Sequence, residues 1–595
     1  MIALLGTAAP PDFALARQML AAAPHRGSCT TLRVLGNCVL GIATRPDFVD
    51  ASISIDGPII AALSGRLDNA PDLQRSLTDL GVPPASPADA DVVVAAFKAF
   101  GWEAPRRMRG AFSGAVSDGR TLWCFRDHIG FRPLFYHNGP QAFVAAIEPR
   151  QVVAGGRLSE QPNLDVLELM FYERMPADAP AALLGVERLA QSHTLTIDAT
   201  SSVSIRRYWD PAPLLETARL SYGDMQDRFI ELLAQATARS LTGKDVVLLS
   251  GGLDSPAVAA FAAPEHLRRT GKPIGALSCV FPDIPAVDEL PFIKIVAERY
   301  GITLNTYRPE ARTLDNVEEW CRRLASPTPT ISIPELADNH ARARSLGYEN
   351  LLTGDFAEFV FGSPVHMLTH LLLRGRWRSL AKLLMREVNR GAYKSQIVSE
   401  LLGSFVPGRL ANWYIHWRGL DAPERIPSWL DARKVNERPY RADLLPPSHR
   451  RWLETQLAGT HGATITMEAD EVVGAMAGVT IRRPFADIDL WEFFLSLRAE
   501  LKCPTRRFKS LGRDLLRGYV PDAIIDRRDK TVFDDHVLNQ IDYPALRRLL
   551  VNPRHRLPNV DYERLGKRIE QQTFTFFDWF WAKDLAQIHA FLNAW

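Results

Sequence analysis

Along residues 1–205 the apolar positions fall in short runs separated by turn residues, a pattern of strands rather than of long helices. Residues 34–42, 53–63, 112–116, 122–126 and 195–197 read as strands, and residues 90–100 as a helix between them. Such runs predict an α+β domain built of stacked antiparallel sheets. After residue 207 the pattern changes. Tyr208-Trp209-Asp210-Pro211-Ala212-Pro213 interrupts any regular element and reads as the start of a linker. Residues 222–240 then carry a helical period, and Val246 to Leu249 form a continuous apolar run that stops at Ser250-Gly251-Gly252, before helix formers resume at Pro256. Residues 274–281 read as a second buried strand. A helix over 291–300 follows Asp288-Glu289, with Phe292, Ile293, Ile295 and Val296 on its apolar face, and residues 350–353 read as a strand ending at Gly354-Asp355. Strand and helix in alternation predict a parallel, doubly wound sheet whose ligands sit beyond the strand C-termini, where both Gly-containing loops lie. The predicted organisation is a first domain over 1–207, a linker over 208–221 and a second domain over 222–595. The second domain holds a helical, Arg- and Trp-rich insertion at about 363–460 (Trp377, Trp413, Trp417, Trp429, Trp452), then helices over 468–478 and 490–497.

Composition narrows the class without choosing within it. The 595 residues are too many for one core, and 46% hydrophobic with 23% charged residues is ordinary globular material. A net charge of +2 gives no overall pull toward nucleic acid or a membrane. No apolar run approaches the roughly 18 residues of a membrane span, so a cytoplasmic protein is expected. The six cysteines lack CxxC or Cys/His spacing, which predicts buried free thiols rather than zinc ligands or disulfides.

The loop Ser250 to Ser255 carries the most chemistry. Glycines let a backbone approach a ligand closely, and N–H groups with a helix N-terminus favour an anion such as phosphate. Asp254 beside such an anion calls for a divalent cation, and Mg2+ is commonly held by one or two carboxylates plus phosphate oxygens. A plain turn with Asp254 and Ser255 capping the next helix is the simpler alternative. For Asp355 and Glu358 the corresponding alternatives are a helix N-cap and a solvated charge.

The string SGGLDS after a strand resembles the pyrophosphate loop (PP-loop) of ATP pyrophosphatases of the asparagine synthetase type. Upstream, Ser64-Gly65-Arg66-Leu67-Asp68-Asn69, Met108-Arg109-Gly110-Ala111-Phe112 and residues 125–136 resemble that family's N-terminal glutamine amidotransferase domain, of the Ntn type with two stacked antiparallel sheets. Downstream, Thr353-Gly354-Asp355-Phe356-Ala357-Glu358-Phe359 resembles its second acidic loop. Arg482-Arg483-Pro484-Phe485-Ala486-Asp487 resembles its R-x-P-F-x-D, with Arg483 and Asp487 expected to pair, and Lys509 and Lys530 fall in its two lysine signatures. The resemblance implies ATP and pyrophosphate at Leu249, Ser250, Gly251, Gly252, Asp254, Ser255, Gly354 and Lys509, and Mg2+ on Asp254 and Glu358. It also implies that Lys530 stabilises developing charge and that Asp355 accepts a proton from an attacking amine. Cleavage between the α and β phosphates, giving AMP and pyrophosphate, goes with it.

Two departures matter. The family's glutaminase nucleophile is an N-terminal cysteine, whereas this chain opens Met1-Ile2-Ala3, so the expectation is a domain that makes no ammonia. The second loop is degenerate, with Glu358 at the metal-binding Asp position and Phe359 for the next acid. With the insertion, this looks most like the lasso-peptide cyclases, which adenylate an Asp or Glu side chain of a leader-cleaved core peptide and join it to the N-terminal amine. That resemblance implies a peptide substrate, with a leader peptidase and a leader-binding protein as partners. A β-lactam- or carbapenam-synthetase-like ligase, or another asparagine-synthetase-related amide ligase, acting on a small molecule is the alternative. An inactive scaffold and a nucleic-acid-modifying PP-loop enzyme are rivals of other classes.

Overall fold

A computed structural model describes residues 1–6, 12–172, 175–176, 178–198, 200–327, 332–362, 367–389, 426–431, 461–502, 504, 509–527 and 534–595. The N-terminal half contains β1 (Ile2–Gly6), β2 (Cys29–Leu35), β3 (Cys38–Thr44), β4 (Ala51–Asp56), β5 (Ile59–Leu67) and β6 (Gly110–Ser117). It continues with β7 (Leu122–Arg126), β8 (Phe135–Asn138), β9 (Ala142–Ala146), β10 (Glu187–Arg188), β11 (His193–Ile197) and β12 (Val203–Arg207). These strands form two six-stranded antiparallel sheets, ordered β10-β8-β9-β1-β3-β2 and β12-β11-β7-β6-β5-β4. Alternation along each strand explains the stacking, because successive side chains face opposite sides. Ala3 and Leu5 of β1 meet Ile60 and Ala62 of β5 between the sheets, while Ile2 and Leu4 face a helical layer that includes Leu15 and Met19.

Two single strands of the sequence reading are hairpins. Residues 34–42 divide at Gly36-Asn37, with Leu35 opposite Cys38, and residues 53–63 divide at Gly57-Pro58, with Asp56 opposite Ile59. Gly36 and Gly57 take the left-handed conformations that two-residue hairpin loops demand, so the apolar runs on either side are two strands, not one.

In the C-terminal half, β13 (Asp245–Leu248), β14 (Gly275–Cys279), β15 (Thr303–Tyr307), β16 (Asn350–Leu352) and β17 (Thr480–Arg482) form a parallel sheet ordered β15-β14-β13-β16-β17. The chain steps outward from β13 in one direction and returns to β16 on its other side. The switch point of the sheet therefore lies between the ends of β13 and β16, where a ligand crevice opens in folds of this kind. Val246 and Val247 are fully buried, each contributing roughly 1.5–3 kcal/mol by leaving water. Beneath them the buried Asp245 accepts from Asn350 Nδ2 at 2.6 Å and from Gly243 N at 2.8 Å, tying the starts of the two central strands together. The Tyr222–Ser240 helix covers the sheet, with Phe229 and Leu233 buried. On the Leu290–Tyr300 helix the buried positions are Ile293, Val296 and Ala297, while Ile295 is exposed, contrary to the sequence reading. In the Arg- and Trp-rich stretch Trp429 is fully buried and donates to Asp578, and Trp377 is exposed; Trp413, Trp417 and Trp452 lie outside the described residues.

The two halves meet along the His461–Ala477 helix. Glu468 accepts from Arg188 Nε at 2.8 Å, and Glu471 accepts from Arg26 at 3.1 Å and from Arg132, which also donates to Asp50 at 3.1 Å. Arg26 and Arg132 are buried, and without Glu471 Arg26 keeps Glu148 and Asp50 while Arg132 keeps Asp50. Glu471→Ala is therefore expected to cost about 1–3 kcal/mol, read as a fall in the thermal unfolding midpoint, with Glu471→Gln milder.

The thiols depart in part from the expected burial. Cys38, Cys124 and Cys321 are buried, Cys279 is intermediate and Cys29 is exposed. Burial pushes Cys38 up to about 12 and Cys124 higher still, the opposite of the lowered pKa that makes a thiol nucleophilic. Cys503 lies outside the described residues.

Candidate active site

The loops after β13 and β16 are in backbone contact. A Cβ placed on Gly354 would lie 2.6 Å from Ser255 N and 2.8 Å from Asp254 C, so only glycine lets the second loop sit against the first. Within the first loop, Ser250 N–H donates to Ser255 Oγ at 2.8 Å and the two hydroxyls are 3.0 Å apart. Leu249 is buried, its carbonyl accepting from Ser278 Oγ at 2.8 Å. Gly251 N–H donates to Glu289 Oε2 at 2.9 Å, and Arg527 reaches both Gly251 O at 3.0 Å and Glu289 at 2.9 Å. Glu289 and Arg527 thus clamp the loop from two distant segments. The sequence reading assigned Glu289 only to a helix start.

Asp254 opens the Asp254–Thr270 helix and pairs with Lys509. Lys509 has left-handed backbone, with its N–H donating to Gly362 O at 3.1 Å. A Cβ on Gly512 would lie 2.3 Å from the Phe361 ring, so the segment carrying Lys509 packs directly on the end of the second loop. Glu358 lies in the short Ala357–Val360 helix and lines the same cleft. Burial pushes its carboxyl above the ordinary range and the negative charges of Asp254 and Asp355 add to this, while its own backbone N–H and Lys509 oppose it. A half-buried acid beside two others is suited to a cation. The pair Asp254 and Glu358 has the oxygen donors that Mg2+ takes when phosphates complete its shell. Among the described residues no group of three or more His, Cys, Asp or Glu side chains is arranged to hold a metal.

Asp355 is exposed on the cleft, and its carboxylate meets Arg483 Nε at 3.2 Å. The expected Arg483–Asp487 pair does not form. Asp487 instead pairs with Arg239 at 3.2 Å, and Arg483 turns the other way, to Asp355 and Asp470. The pleat of β17 explains this: Ile481 and Arg483 face the cleft, while Thr480 and Arg482 face a cavity toward the N-terminal half. Arg483, Asp470 and His340 therefore join the cleft without having been singled out for it; the Arg-Arg doublet with strand alternation was the available signal. Lys530 lies outside the described residues. All the other site positions of the sequence reading lie on the two loops or against them.

The cleft has a volume of about 630 Å³ and runs from Ser250, Asp254 and Ser255 past Glu358 to Asp355, Asp470 and Arg483. A second cavity of about 250 Å³ adjoins it at Leu248 and Ser250, between the ends of β13 and β14, lined by Leu249, Cys279, Phe281 and Ile293. The phosphate-suited loop stands between an apolar recess and an acid-lined cleft.

The model of the glutamine amidotransferase domain matches residues 1–209, and the asparagine synthase model matches residues 228–576. The chain belongs to the asparagine synthase family. Members of that family are ATP-dependent carbon–nitrogen ligases. The chain is 23% identical to the glutamine-hydrolysing asparagine synthetase 3 of Bacillus subtilis (strain 168) over 489 residues, 78% of this chain and 74% of the relative. Synthetase 2 of the same organism is 27% identical over 36% of this chain and 30% of its own length. A putative glutamine-hydrolysing asparagine synthetase of Mycobacterium tuberculosis (strain H37Rv) is 28% identical over 35% of this chain and 34% of its own length. No helix among the described residues is long and apolar enough to cross a membrane.

Proposed function

We propose that the chain is an AMP-forming amide ligase that closes a macrolactam in a leader-cleaved core peptide, as in lasso-peptide biosynthesis. The observation that carries the reading is the convergence of Asp254 and Glu358 on one cleft at the sheet's switch point, with Lys509 paired to Asp254. In this reading the apolar recess beside Leu249 and Ile293 takes the nucleoside, and the Ser250–Ser255 loop with Gly354 and Lys509 holds the phosphates. A substrate carboxylate attacks the α-phosphorus, displacing pyrophosphate and forming an acyl-adenylate. Asp254 and Glu358 would hold Mg2+, which would neutralise charge on the phosphates. Lys509 holds pyrophosphate, and Lys530 offsets charge on the acyl group.

The amine then comes from the substrate itself. Cys38 and Cys124 are sealed between the sheets with raised pKa, which leaves them unsuited to glutamine attack. The acid-lined cleft continues past the nucleotide loop to Asp355, Asp470 and Arg483, where a substrate segment carrying both amine and carboxylate would lie. The reading implies a leader peptidase and a leader-binding protein upstream. Purified protein with ATP, Mg2+ and synthetic peptides bearing a free N-terminal amine and an internal Asp or Glu is expected to release pyrophosphate and give a product lighter by one water. Turnover of small β-amino acids but of no peptide would favour a β-lactam-synthetase-like activity instead.

A further inference from the structure

We propose that Arg483 is a positioning residue for amide formation, holding Asp355 where the incoming amine arrives, and that the N-terminal half reaches the chemistry by bracing Arg483 through Phe131. This inference rests on the reading above. Arg483 has an anchored side and a working side. On the anchored side it pairs with Asp470, a buried carboxylate that also lies 3.3 Å from His340 Nε2. Burial holds His340 below its ordinary pKa, so the neutral imidazole leaves the Asp470 charge to Arg483. On the working side Nε meets Asp355 Oδ2 at 3.2 Å, and Asp355 is the exposed partner, with 55% of its side chain accessible against 10% for Arg483. A pair whose exposed member faces a substrate cleft contributes little to stability, whereas fixing a carboxylate within about half an ångström is what a reacting site needs.

The guanidinium also lies over the Phe131 ring at 5.3 Å, and Phe131 meets Phe356, the residue after Asp355, edge to face at 5.5 Å. Phe131 is itself held firmly. The buried Asp127 accepts from the N–H groups of Ile129, Gly130 and Phe131 at 3.1, 2.7 and 3.1 Å. Phe356 has left-handed backbone, and it lines the cleft together with Asp355 while its ring rests on Phe131 of the N-terminal half. The segment Asp355-Phe356 is thus held from both sides by side chains outside the nucleotide loop.

The step this serves follows adenylation. The amine nitrogen attacks the acyl carbon, the C–N bond forms, the C–O bond to AMP breaks, and one proton leaves nitrogen for Asp355 and then water. Arg483 touches none of the reacting atoms, so its loss should separate the two half-reactions. The probe is a set of synthetic peptides, each with a free N-terminal amine and one internal Asp or Glu. It is read by ATP–pyrophosphate exchange for adenylation and by mass for ring closure. Arg483→Lys keeps a cation beside Asp470 and so preserves the fold. It is expected to leave exchange within about twofold of wild type and to slow ring closure roughly 10- to 100-fold through kcat rather than KM. Arg483→Ala should lose more, and millimolar guanidinium should restore part of its ring closure without affecting wild type. Phe131→Ala should fall in the same direction as Arg483→Lys. The proposal is overturned if exchange and ring closure fall together in Arg483→Lys, if ring closure is unchanged, or if guanidinium restores nothing. If the wild-type protein itself shows no exchange with any peptide, the ligase reading fails first and this inference with it.

Discussion

Asp254→Asn is expected to reduce pyrophosphate release by roughly 1,000-fold while the protein remains folded. Asparagine keeps the size of the side chain and its place in the first turn of the Asp254–Thr270 helix, but removes the charge that faces Glu358 and pairs with Lys509. The lost helix-terminus interaction is worth about 1 kcal/mol or less, so the unfolding midpoint should move little. Steady-state pyrophosphate release and a thermal melt on the same sample separate the two effects. Retained turnover would remove Asp254 from the metal site.

Gly354→Ala is the second large effect, and it acts through shape. The added methyl would stand 2.6 Å from Ser255 N and 2.8 Å from Asp254 Cβ, and backbone cannot swing aside as the end of a side chain can. The two loops must part, at a cost of about 1–3 kcal/mol for overpacking. Parting them also moves Asp254 relative to Glu358, and a displacement of about an ångström in a reacting site can cost 100-fold in rate. ATP affinity and melting temperature should therefore fall together. Gly252→Ala is the control for stability, since its new methyl would meet only Ser250 Oγ at 3.5 Å. Equal melting temperatures for the two variants would mean that the loops are not in the contact described.

Much of this site could be read from the sequence because its carriers are local. A buried strand, a Gly-rich turn and a helix start within fourteen residues fix where the first loop lies, and a second strand ending at Gly354-Asp355 fixes the opposite wall. The doubly wound sheet followed from the same alternation. Strand β17 was harder to read, because Thr480–Arg482 is only three residues long and is completed by its neighbour β16. The two hairpins were read as single strands because Gly36 and Gly57 interrupt the apolar runs by only two residues.

The partners of charged groups were the least legible feature. Arg483 precedes Asp487 by one turn's spacing, which suggested a local pair. The pleat of β17 and the 3-10 turn Pro484–Ala486 send the two side chains in different directions, so Asp487 finds Arg239, more than two hundred residues away in sequence. Glu289 and Arg527 likewise become a clamp on Gly251 only when the chain has folded. Such pairings depend on tertiary geometry, and periodicity carries no record of them. The N-terminal half follows the same rule. Its two sheets were visible as alternating runs, but its grip on the synthetase half through Glu468 and Glu471, and on the cleft through Phe131, was not.

The central claim is that a substrate carboxylate is activated by direct attack on the α-phosphorus of ATP at the Asp254–Glu358 cleft. It is tested most directly by supplying a peptide whose side-chain carboxylate carries a heavy-oxygen label and weighing the AMP formed. The account predicts AMP with one labelled oxygen, matched one to one with pyrophosphate and with peptide that has lost water. Unlabelled AMP, or ADP and phosphate as the nucleotide products, would contradict it.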